Sequence, residues 1–136
     1  MTYNILPSAT LTTATGTTVT TSIPRPFSTA FLYAIFTYAA GGDTIQAWVQ
    51  CSDDRGATWK DVACFAFATT NAKRFFNLSG LTAVTTVGTP TDGALVDNTS
   101  INGIMTQYVR VKYTVGGAGY SGATTLAIWM FTRDTV

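Results

Sequence analysis

The chain is 136 residues long, about the size of one domain, and only 11% of it is charged, with a net charge of +1, where soluble domains usually carry about 25%. So little charge argues against a surface built to hold nucleic acid or an anionic membrane. With 27 threonines, eight Phe, six Tyr and three Trp, the composition favours strands over helices, and it implies that much of the surface is buried against other chains.

Residues 1–26 are rich in Thr and Ser and end in Pro24-Arg25-Pro26. The two prolines prevent regular ladder pairing there and hold the backbone extended. One reading is an edge strand around Thr17 to Ile23 preceded by a loose tail. The other is an arm that pairs with a neighbouring subunit. Either way the segment stands apart from a sandwich domain over residues 27–136. Met1 to Ser8 shows no basic region followed by an apolar run, so a cytoplasmically made chain is expected.

Phe27 to Tyr38 is the longest strand candidate, with Phe31, Tyr33 and Ile35 on one face and Ala30, Leu32, Ala34 and Phe36 on the other. It is too short to cross a bilayer. Gly41-Gly42-Asp43 then turns the chain into a hairpin spanning Thr44 to Phe67. In its first strand Ile45, Ala47, Val49 and Cys51 alternate with Gln46, Trp48 and Gln50. The second strand is apolar on both faces and reads as central.

The turn between them, Ser52-Asp53-Asp54-Arg55-Gly56-Ala57-Thr58-Trp59, resembles the Asp-box, Ser-x-Asp-x-Gly-x-Thr-Trp, of sialidases, other propellers and many secreted β-proteins. The resemblance implies structural roles only. Asp54 would accept hydrogen bonds from loop N–H groups, Gly56 would take a positive φ, and Trp59 would pack beneath the loop, with Ser52 and Thr58 completing the motif. A propeller needs such a unit every 40 to 50 residues or so. Here it occurs once.

A strand from Lys73 to Leu78 follows, with Phe75 and Phe76 pointing opposite ways. Leu81 to Val87 offers a short strand inside an otherwise loop-like excursion from Ser79 to Gln107. Asp92, Asp97 and Asn98 lie in that excursion without the regular spacing of a calcium loop, so they read as turn formers. Tyr108 to Val115 alternates cleanly, and after a Gly-rich turn the last strand, Ala123 to Thr132, places Ala127, Trp129 and Phe131 opposite Leu126, Ile128 and Met130. About eight strands without a crossover helix predict an all-β, antiparallel two-sheet sandwich of the jelly-roll or Greek-key kind. An immunoglobulin-like sandwich is the rival, but no Cys pair flanks a Trp as that fold would have it.

Cys51 is expected opposite a residue near Lys60, leaving Cys64 out of disulfide reach, so two buried free thiols are predicted. The chain has no histidine and no glutamate. That removes the commonest general base and metal ligand, and the seven aspartates sit mostly in predicted turns. No catalytic constellation, metal site or cofactor is expected. The informative surplus is aromatic: Phe31, Tyr33, Trp48, Trp129 and Phe131 lie on strand faces opposite the core, where a subunit interface, carried by Tyr33, Trp48, Trp129 and Phe131, would bury them.

In this texture, including the Gly-Ala-Thr-Trp hairpin followed by an aromatic strand, the chain resembles small virion structural proteins of tailed bacteriophages, especially head decoration or cement proteins. The resemblance implies a homotrimer seated on the phage major capsid protein, bracing the shell in the virion. The lattice contact would then fall on the N-terminal arm, at Thr10, Thr17, Ile23 and Arg25. The alternative is a carbohydrate-binding module or the receptor-binding tip of a phage fibre, in which the same aromatics would stack on sugar rings.

Overall fold

The computed structural model describes residues 2–11, 15–18, 21–24, 27–102 and 106–133. These form eleven strands: β1 Thr2–Thr10, β2 Thr15–Thr17, β3 Thr21–Ser22, β4 Thr29–Thr37, β5 Ala40–Gly41, β6 Ile45–Ser52, β7 Lys60–Phe67, β8 Ala72–Ser79, β9 Tyr108–Val115, β10 Tyr120–Ser121 and β11 Thr125–Arg133. All described pairs are antiparallel. One sheet has the order β1-β11-β4-β8; a second has β2-β9-β6-β7 with β3 also on β9; and β10 pairs with β5 in a small third. The architecture is therefore an all-β, sandwich-like arrangement of eleven strands in three sheets, more finely divided than the eight expected.

The core lies between the two large sheets, and the period-2 patterns fill it. Ala30, Leu32, Ala34 and Phe36 of β4 and Leu126, Ile128 and Met130 of β11 face Ile45, Ala47 and Val49 of β6 and Val109 and Val111 of β9 across the interior, all buried. Phe36 stacks on Phe67 with ring centres 5.0 Å apart, and Tyr120 meets it edge-on at 5.5 Å.

Three expectations are corrected here. The N-terminal residues include no loose tail: Thr2 to Thr10 pair along β11, and Ile5, Leu6, Leu11 and Ile23 belong to the core, while the expected edge strand is present as β2 and β3 on β9. The register shifts between Asn4 and Leu6 and between Leu6 and Ala9. Such bulges let adjacent Ile5 and Leu6 both bury, which hides the alternation. Strand β7 is not central but the edge of its sheet. It is apolar on both faces because residues 91–101 run along and over it: Asp61 N donates to Thr91 O at 2.8 Å, Cys64 N to Thr99 O at 2.9 Å and Ile101 N to Val62 O at 2.8 Å. Leu81 to Val87 forms no strand, and Leu81, Val84 and Val87 are exposed. Cys51 pairs in register with Lys60, and both thiols are free and buried.

Candidate functional site

Sheet register brings one set of aromatics together on the outer face of the β1-β11-β4-β8 sheet. Phe31 and Tyr33 on β4 sit opposite Phe131 and Trp129 on β11 and opposite Asn77 and Phe75 on β8. The Phe31 ring centre lies 5.5 Å from Phe75, 5.8 Å from Phe131 and 6.2 Å from Tyr33, the last pair inclined by only 14°. Their inner-face neighbours fill the core, so these rings have nowhere to go but outward. Phe75 is 66% exposed, Phe131 38% and Phe31 37%. Lys73 and Arg133 share strand faces with them, at opposite ends of the ridge. None of the four strands carries an acid.

No family model, curated protein or solved structure matches this chain.

The expected aromatic set divides between the two sheets. Tyr33, Trp129 and Phe131 share the exposed ridge, whereas Trp48 lies on β6 in the other sheet and is only 4% exposed. Its indole Nε1 donates to Leu95 O at 3.0 Å. The chain's own 91–98 segment covers it, which leaves Trp48 little surface to offer a subunit. Alternation shows which residues share a strand face; it does not show what lies over that face. Phe75, absent from the predicted aromatic patch, completes the ridge beside Phe31. Its signal was present in the alternation of its own strand.

The covering segment is anchored by a polar cluster that sequence reasoning missed. A register shift at Val49 sets Asp61 opposite Gln50. Gln50 Nε2 donates to Asp61 at 2.8 Å and to Asp92 at 2.6 Å, and Arg110 Nε donates back to Gln50 Oε1 at 2.7 Å. The Asp61 carboxylate also accepts from Thr91 Oγ1 at 2.7 Å and from the N–H groups of Gly93, Ala94 and Leu95 at 2.9 to 3.1 Å. Burial pushes the Asp61 pKa up, but these hydrogen bonds outweigh it and hold the carboxyl below its usual range. Asp92 further attracts Lys112 at 3.4 Å and Arg110 at 3.8 Å. The bonds to Asp92 and from residues 91–95 fasten the loop, while Gln50 to Asp61 and Arg110 to Gln50 tie β6 to its neighbouring strands. Among the described residues no group of His, Cys, Asp or Glu is arranged to hold a metal ion.

The Asp-box turn is a self-contained hydrogen-bonded loop. Asp54 accepts from Ser52 Oγ at 2.7 Å and from Thr58 N at 2.8 Å, while Gly56 N donates to Ser52 Oγ at 2.8 Å. Bonds from the Thr58 hydroxyl and amide, then from Ser52, lower the Asp54 pKa to about 2. Gly56 has φ +95°, and Trp59 Nε1 reaches back to Gly56 O at 3.1 Å. Arg110 lies over the Trp59 ring at 4.4 Å, tying the turn to the loop cluster.

The four residues expected to meet a capsid are scattered in their settings. Thr10 ends β1 opposite Thr125, and Thr17 is exposed on β2 opposite Lys112. Ile23, only 2% exposed, packs in the core and cannot contact a lattice. Arg25 lies outside the described residues.

Proposed function

We propose that the chain is a non-enzymatic structural protein whose aromatic sheet face is a protein contact. In the narrower reading it is a head decoration or cement protein of a tailed bacteriophage, acting in the virion on the major capsid protein. The observation that carries the proposal is the ridge of Phe31, Tyr33, Phe75, Trp129 and Phe131, with three of its rings more than a third exposed. Monomers rarely leave such a patch in water, and aromatic enrichment with few charges is the composition of an interface core. A clamp that binds only the closed lattice stabilises it by mass action.

The jelly-roll reading draws support from strand order. Taking β2 and β3 as one interrupted strand and setting aside the small β5–β10 sheet leaves eight strands. Renumbered along the chain, they run 1-8-3-6 in one sheet and 2-7-4-5 in the other. Such nested pairing of first with last strands is what two Greek keys rolled together produce. A non-catalytic role is supported by the absence of histidine and by the saturation of Asp61 and Asp54 with loop-forming bonds.

One observation favours the carbohydrate-binding alternative. A depression beside the ridge is lined by Thr29, Phe31, Asn77, Phe131, Thr132 and Arg133, a mixture of rings and hydrogen-bonding groups. Light scattering and a glycan array separate the two readings. The proposal expects a mass above one chain and no glycan retained; glycan binding that Trp129→Ala abolishes would reverse the order.

A further inference from the structure

Three of the four outer edges of the large sheets are obstructed. The β7 edge is taken up by residues 91–101, the β1 edge is broken by register shifts around Pro7, and the remaining edge consists of the two short pieces β2 and β3. Strand β8 is different. It runs eight residues in unbroken register with β4, from Ser79 opposite Thr29 to Ala72 opposite Phe36. Regular open edges of this kind accept another strand.

The phase of the ladder tells which groups are on offer. Gly80 N donates to Ser28 O at 2.7 Å. Because bonded pairs alternate in an antiparallel ladder, Leu78, Phe76, Arg74 and Ala72 bond to β4, while the N–H and C=O of Asn77, Phe75 and Lys73 point away from it. Ser79 N also points outward and is capped by Asn102 Oδ1 at 2.9 Å. Among the described residues no backbone bond takes up the other three, and all three are exposed.

We infer that β8 pairs antiparallel with β8 of a second copy, about a two-fold axis passing through Phe75. This rests on the protein-contact reading above and names the first contact made. A dyad perpendicular to the sheet keeps each face on its own side, so only residues of one face can lie opposite each other. The outward groups then match in one register: Phe75 opposite Phe75 of the second copy, and Lys73 opposite its Asn77. Arg74 lies opposite Phe76 of the second copy, so no like charges meet. Shifting the register one way sets Arg74 against its own copy, which repels. Shifting it the other way needs the Ser79 N–H that Asn102 already holds. The pair carries the aromatic ridge across the axis, covering Phe75, its most exposed ring. A closed two-fold dimer, rather than the trimer expected from the resemblance, satisfies an edge that is complementary to itself.

Disulfide trapping tests the register. Facing Cα atoms in a bonded antiparallel pair lie about 5.5 Å apart, within disulfide reach of about 4.4 to 6.8 Å. Oxidised Phe75→Cys should run as a covalent dimer, whereas Lys73→Cys alone, offset by four residues or about 13 Å, should not. The double variant Lys73→Cys/Asn77→Cys should cross-link again. Phe75→Pro removes an outward N–H without touching the β4 ladder and should raise the dissociation constant about tenfold or more. A wild-type chain that never self-associates overturns this inference together with the reading beneath it. Self-association that survives Phe75→Pro, yields no Phe75→Cys dimer and is lost in Phe131→Ser overturns the edge pairing alone.

Discussion

Phe31 and Phe131 sit directly opposite each other on neighbouring strands, ring centres 5.8 Å apart, yet each remains more than a third exposed. Their contact holds the ridge in shape without covering it. Replacing both, as Phe31→Ser/Phe131→Ser, should cost the folded monomer about 2 to 4 kcal/mol, because a little under two-thirds of each residue is withdrawn from water. Self-association through the β8 edge should persist, because neither residue lies on that strand. Thermal melting and sedimentation velocity on the same variant check the two halves.

Asp61 is a different case, since five donors converge on one covered carboxylate. Asp61→Asn turns an NH2 group toward several of those donors and should destabilise the fold by about 2 to 4 kcal/mol. The 91–95 segment should loosen and uncover Trp48, read as a red shift and stronger acrylamide quenching of the indole emission.

Acid should weaken the fold through the same loops. The Asp54 and Asp61 pKa values are lowered in the folded chain, so the stability they contribute is fully present above the unfolded value of about 3.9. It is lost as pH falls through the folded values, toward about 2 for Asp54. Urea unfolding between pH 5 and about 2 should show this loss, and Asp54→Asn should flatten its steepest part.

Strands β4, β6, β9 and β11 were legible because one face of each packs on the core and writes a period of two into the residues. Strand β1 was not, because bulges let Ile5 and Leu6 bury side by side. Trp48 and Trp129 looked equivalent since both oppose the core on their own strands. Which sheet each joins, and whether a loop lies over it, depends on partners far along the chain. The Gln50–Asp61–Asp92 cluster escaped notice for the same reason: its members are separated by 11 and 31 positions, and a register shift in β6–β7 aligns the first two. The Asp-box turn was readable because the bonds that shape it, among Ser52, Asp54, Gly56, Thr58 and Trp59, are local.

Gly42 supplies a test of the interior. It has φ +70°, and a Cβ there would lie 2.2 Å from the Tyr120 ring, which is packed against Phe36 and hydrogen-bonded to Ala68 O. Gly42→Ala should therefore cost about 2 to 4 kcal/mol, strain and overpacking adding together. Chemical denaturation measures it, and a shift within experimental error would show that Tyr120 moves freely.

The thiols should be silent in the native chain. Burial pushes the Cys64 pKa up to about 12, helped by the Asp97 charge, and burial likewise raises that of Cys51. Neither should react with an aromatic disulfide reagent at pH 8, while both should react in denaturant.

Sedimentation equilibrium of the wild-type chain, from about 1 to 100 μM, tests most directly whether protein covers the aromatic ridge. A two-chain mass that falls to one chain in Phe75→Pro is the outcome the account predicts. A single-chain species at the highest concentration, with the ridge exposed to water, would contradict it.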